Sequence, residues 1–90
     1  MNNKHILAAL AMDLKRIALG LHRGSNVVAS RFTQEAEKRL GEVERNTVLP
    51  YMKNVLANIQ LTLSLKDKDK KAEDALMYST IVQNYVLYKY

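Results

Sequence analysis

Leu7, Leu10, Leu14, Ile17 and Leu21 recur at alternating separations of three and four residues, which lines them along one stripe of a helix over residues 2–22. Asn2 or Asn3 can cap its start, Gly20 and Gly24 bracket its end, and a turn is expected near 23–26. A second helix is predicted over 27–45, entered through Ser25 or Asn26, with Val28, Phe32, Ala36, Leu40 and Val43 on its apolar side. Opposite charges fall at helical separation on its other side: Arg31 with Glu35, Glu35 with Arg39, and Lys38 with Glu42. Gly41 is a weak point in that helix unless a close contact needs it.

Asn46, Thr47 and Pro50 read as a restart, because Asn or Thr can cap and proline is tolerated in a first helical turn. The spacing of Leu49, Met52, Leu56, Ile59 and Leu63, widened by Val55, then predicts a third helix over 49–64. Lys66-Asp67-Lys68-Asp69-Lys70-Lys71 holds no apolar residue and suits a solvated loop running into a fourth helix. That helix should be capped by Asp67 or Asp69, carry Glu73 and Asp74 in its first turn, and end near Tyr88. Short connections and amphipathic segments give an all-α fold, an antiparallel up-down four-helix bundle over 1–90 as a single domain. The alternative is three long helices with the middle one kinked at Pro50.

Composition narrows the chemistry. The chain has 90 residues, 48% of them hydrophobic, which is enough apolar surface for one small core. The absence of cysteine removes disulfides, thiolate metal sites and thiol nucleophiles, and makes the cytoplasm the expected location. The apolar run 6–12 is too short to span a bilayer, so no membrane association is expected. The two histidines, His5 and His22, lie near opposite ends of one helix, and no Glu-x-x-His pattern occurs; neither metal nor cofactor is expected.

The net charge of +5 is concentrated early, since Lys4, Lys15, Arg16, Arg23 and Arg31 face only Asp13 within the first 31 residues. Lys15, Arg16, His22, Arg23 and Arg31 are therefore the candidate nucleic-acid contacts, with Arg16 and Arg23, and Lys15 and His22, seven residues apart in two short rows. A solvated face with Asp13 paired to Arg16 is the plainer expectation for the same residues.

The fourth helix carries two apolar stripes. One is small, Ala72, Ala75, Ser79, Val82 and Val86; the other is Tyr78, Ile81, Tyr85 and Tyr88. Aromatic residues are enriched in protein interfaces, so the second stripe is the candidate interface, and a bundle edge closed by tyrosines is the simpler alternative.

Arg16-Ile17-Ala18-Leu19-Gly20-Leu21-His22 spells arginine, five residues, histidine, and resembles the arginine–histidine signature of the HEPN family of small helical bundles. Many of that family are ribonucleases or nucleotidyltransferase partners. The resemblance implies that Arg16 would stabilise a scissile phosphate and His22 would act as acid or base. It spans these seven residues, with Ile17 where the family has a polar residue.

Three functional expectations follow. The first is a non-enzymatic helical-bundle protein acting as a homodimer or as a small subunit of a larger complex. The second is a nucleic-acid-binding protein using the basic first helix and turn, and the third is a HEPN-like ribonuclease.

Overall fold

The computed structural model describes residues 2–90, and its elements are four helices: α1 (Asn3–His22), α2 (Asn26–Glu42), α3 (Pro50–Leu63) and α4 (Lys68–Lys89). A single 3-10 turn, Arg45–Thr47, lies between α2 and α3. Each helix packs on its two neighbours around a ring, with α1 against α2 and α4, and α3 closing the ring between α2 and α4. The start of α1, the end of α2, the start of α3 and the end of α4 meet at one end of the bundle. Asn3 bonds to Glu44 there, and Leu49 to Tyr85. Consecutive helices therefore run antiparallel, and the chain breaks before Pro50 as a four-helix bundle requires.

The expected stripes form most of the core. Leu7, Leu10, Leu14 and Ile17 of α1, Leu40 of α2, Met52, Leu56 and Ile59 of α3, and Val82 of α4 are its largest fully buried side chains. Ala36 and Leu40 of α2 and Val43 just past it are buried as expected, but at the start of α2 Ala29 is buried while Val28 is exposed. The contact that sets this is Gly20, interior to α1: a Cβ there would lie 3.1 Å from the Ala29 amide nitrogen and 3.1 Å from Val28 Cγ1. Gly20 thus serves the close approach of α1 and α2, and Gly24 alone ends α1. With φ of 74°, Gly24 lets its own amide bond to Leu21 O and the Ser25 amide bond to Gly20 O, which satisfies two of the carbonyls the helix leaves free.

The caps follow the expected residue types except at α3. Asn2, Ser25 and Asp67 accept from the amides of His5, Val28 and Lys70. At α3 the cap position is Leu49, with no side-chain bond, and neither Asn46 nor Thr47 serves. Thr47 is engaged elsewhere, donating its hydroxyl to Glu44 O at 2.8 Å while accepting from Asn3 Nδ2 at 2.7 Å. The Leu49 amide donates instead to the Tyr85 hydroxyl at 3.2 Å, so a distant side chain from α4 serves this helix start. Pro50 at the first helical position has no N–H and removes one further demand.

α2 ends at Glu42, earlier than the expected Arg45, and Arg45 folds back so that its Nη2 donates to Leu40 O at 3.1 Å. Among the described residues no helix is long and apolar enough to cross a membrane.

Candidate interaction surfaces

The two stripes of α4 have different neighbours. On the small-residue stripe, Ala75 and Val82 are fully buried, and Ser79 donates its hydroxyl to Ala11 O of α1 at 2.7 Å. Small side chains let α4 approach α1 closely, and the buried serine finds a carbonyl across the seam. The aromatic stripe turns the other way. Tyr85 is 2% exposed, edge-on to Tyr51 of α3 at 5.7 Å and to Tyr90 at 6.1 Å. Tyr78 and Ile81 are half-buried against the core, and only Tyr88 stands in solvent, 90% exposed. A corner helix of a ring has two neighbours to cover, and this pair of stripes supplies both. The bundle itself thus covers Tyr85 and partly covers Tyr78 and Ile81, so the four residues do not form one open surface.

Apolar surface is left open on a different face. Met12 and Leu19 of α1 are 45% and 40% exposed, and Leu76, Met77 and Leu87 of α4 are 44%, 47% and 67% exposed. Leu19 lines the groove on the α2 side of α1, whereas Met12, Leu76, Met77 and Leu87 border the outer seam between the two helices. Ala8, Ala11, Met12, Gln83, Val86 and Leu87 line a groove of ≈ 240 Å³ toward one end of it. His22, Asp69, Glu73, Leu76, Met77 and Thr80 line a second groove toward the other end. These apolar residues are interspersed with exposed Lys15, Asp69, Glu73, Thr80 and Gln83.

The basic candidates divide. Arg16 and Arg31 both place their guanidinium carbons over the Phe32 ring, at 5.2 and 5.4 Å from its centre. Arg16 and Arg23 line one groove with Leu19, Gly20, Ser25, Val28 and Phe32, on the α2 side of α1. His22 opens into the groove on the α4 side, and Lys15 is exposed on the α1 row that carries Met12, Leu19 and His22. Arg16 and His22, the pair on which the HEPN resemblance rests, thus border different grooves.

Asp13 does not pair with Arg16 on a solvated face. It is 6% exposed and directed at Arg39 of α2, with Oδ2 and Nε 3.9 Å apart. Burial pushes its carboxyl above the ordinary carboxylate range, with Glu35 adding to the rise; Arg39 and Arg16 oppose it. The signal was present in the spacing, since Asp13 shares a row with Ile6, Ile17 and Gly20, all core-facing. Arg39 also pairs with Glu35 at 3.9 Å and Glu42 at 3.4 Å along its own helix.

A polar groove at the loop end of the bundle brings Lys66, Lys68 and Lys71 near Thr33, Gln34 and Glu37. Partial burial lowers the Lys71 ammonium from its ordinary range, with Glu37 opposing the shift. Among the described residues no three His, Cys, Asp or Glu side chains are placed to hold a metal ion. No protein-family model matches this chain, and neither does any curated protein or solved structure.

Proposed function

We propose that this chain is a non-enzymatic helical-bundle module that works by docking the outer α1–α4 face onto another protein surface. The observation that carries the reading is the open, polar-interrupted row of Met12, Leu76, Met77 and Leu87 along the two grooves of the α1–α4 seam. Its side chains are the flexible kind that adapt to a partner. Covering such a row removes apolar area from water at about 25 cal/mol per Å², so the exposed state carries a standing drive toward association.

A photo-reactive residue at Met12 or Leu87 tests this in the cells the protein comes from. The expected result is a discrete protein adduct from those positions and none from Leu61, an exposed residue of α3. Equal labelling from all three positions, or none from any, removes the reading.

A second reading has its own support. Phe32 holds Arg16 and Arg31 against one ring with Arg23 nearby, which pre-organises two guanidinium groups that phosphates can bridge. As a nucleic-acid binder the chain would retain RNA or DNA at low salt and release it as salt rises, with retention lost in an Arg16/Arg23/Arg31 triple alanine variant. Retention that ignores salt, or survives that variant, disposes of it.

A further inference from the structure

The first half of α2 stands as a ridge between two cationic grooves. Arg16 and Arg23 line the groove toward α1, which α2 borders with Val28 and Phe32, and Arg31 leans over the Phe32 ring on the same flank. Lys66, Lys68 and Lys71 line the groove on the other flank, which α2 borders with Asn26, Thr33 and Glu37. With 3.6 residues per turn, these two sets of α2 positions lie on opposite sides of the helix. Between them Val27, Ser30, Arg31, Gln34 and Lys38 are all exposed and follow one another along a single outer face.

Among the described residues none of the flanking arginines and lysines has a carboxylate within ion-pair distance. The nearby acids are engaged or turned away. Glu35 and Glu42 pair with Arg39 at 3.9 and 3.4 Å, Asp67 caps α4 by accepting from the Lys70 amide, and Asp69 and Glu73 border the groove between α1 and α4. Glu37 is the acid that enters the lysine groove. A largely polar ridge walled by unpaired cations on both sides suits a ligand that presents negative charge on both sides of one helix.

The major groove of B-form DNA is such a ligand. It is about 12 Å wide between two phosphate strands, and a helix with its side chains is about 10–12 Å across. A single strand offers phosphates on one side only, and the deep, narrow major groove of duplex RNA does not admit a helix. Neither cationic groove is lined by a tyrosine on which unpaired bases could stack, and Phe32 already carries two guanidinium groups.

Resting on the second reading, that this chain binds nucleic acid, we infer that its ligand is duplex DNA and that the first half of α2 enters the major groove. Arg16, Arg23 and Arg31 then meet the phosphates of one strand, Lys66, Lys68 and Lys71 meet those of the other, and Ser30 and Gln34 face the base edges.

Fluorescence anisotropy of a short labelled DNA duplex at low salt tests this. Alanine at Arg16, Arg23 and Arg31 together, or at Lys66, Lys68 and Lys71 together, should weaken binding by about tenfold or more and flatten its salt dependence, because each set neutralises its own phosphates. Alanine at Lys4, Lys53 and Lys89 removes the same formal charge at the far end of the bundle and should weaken binding far less. Gln34→Glu, which sets a carboxylate on the ridge, should weaken binding with helical content unchanged, and duplex RNA of the same sequence should bind more weakly than the DNA. A lysine variant that binds no worse than the far-end variant, a Gln34→Glu chain that binds like the natural one, or duplex RNA held as tightly as DNA overturns the insertion of α2. In those cases the arginine variant still judges the nucleic-acid reading by itself. A natural chain that binds neither duplex nor the single strand at low salt overturns the inference and that reading together.

Discussion

Asp13 Oδ2 and Arg39 Nε face each other at 3.9 Å between α1 and α2, and neither atom has a hydrogen-bond partner among the described residues. The pair is unequal. Arg39 has Glu35 and Glu42 within reach along its own helix, whereas Asp13 is buried and depends on Arg39. Removing one member of a buried pair is costly when it strands the other charge, and that happens only when Arg39 is removed. Arg39→Met should cost about 1–3 kcal/mol at neutral pH, while Asp13→Leu should be near neutral or stabilising. Urea denaturation of both variants checks the ordering; a larger loss in Asp13→Leu would contradict it.

The same residue sets a pH dependence. Its folded carboxyl titrates above its unfolded value, so between the two values the native chain holds the proton that the unfolded chain has released. Asp13 therefore contributes a decline in stability as pH rises through that window, complete once the folded group has ionised. In Asp13→Leu this component should vanish, and in Arg39→Met the decline should deepen and extend to higher pH. Denaturation midpoints measured from acid to neutral pH read both effects, and an unchanged profile in Asp13→Leu would assign the decline to other groups.

Tyr85 and Tyr88 sit three residues apart on α4 with opposite surroundings, and their substitutions should separate accordingly. Tyr85→Ala empties a ring-sized space beneath Tyr51 and Tyr90 and should cost about 3–5 kcal/mol. Tyr85→Phe keeps the ring but takes the acceptor from the Leu49 amide, a loss of about 0.5–1.5 kcal/mol. Tyr88→Ala should change stability by less than about 0.5 kcal/mol, because that ring is exposed. Thermal denaturation of the three distinguishes a tyrosine stripe that is mainly core from one that is mainly surface.

The elements were legible in the sequence where one apolar period decides them. Leucines and isoleucines at three-four spacing mark α1 and α3 whatever lies around them. Spacing also separates the two stripes of α4 but does not say which neighbour covers each, and closure of the ring by α3 supplies that. Thr47 looks like a local cap until Asn3, 44 residues away in sequence, engages its hydroxyl. The open apolar face was illegible for a related reason. Met12 on α1 and Leu76, Met77 and Leu87 on α4 are minor positions in their own windows, and only the antiparallel register brings them to the grooves of one seam. Asp13 is the opposite case, a residue whose row pointed inward while its charge suggested solvent.

Ser79 fixes how closely α4 lies on α1. Its hydroxyl donates to a carbonyl that is already in a helix, so Ser79→Ala strands no group and should change stability by about 1 kcal/mol or less. Ser79→Leu must push the helices apart at a position 4% exposed and should cost about 1–3 kcal/mol, or more. If Ser79→Leu matches Ser79→Ala in urea denaturation, close approach is not what the small stripe provides.

Three glycine-to-alanine substitutions of identical chemistry should diverge in sign. At Gly41 a Cβ meets nothing within 4 Å, so alanine gains helix propensity, up to about 1 kcal/mol and less so near the end of α2. At Gly24 the backbone has φ of 74°, and a Cβ there costs about 1–2 kcal/mol although the space around it is open. At Gly20 the space is the constraint, since the new carbon would press on the Ala29 backbone at 3.1 Å; α1 and α2 must separate slightly, and the loss should exceed the propensity gain. Denaturation midpoints should therefore rise for Gly41→Ala and fall for the other two. A rise for Gly20→Ala would mean that α2 yields at Ala29 and that the α1–α2 seam is softer than its geometry indicates.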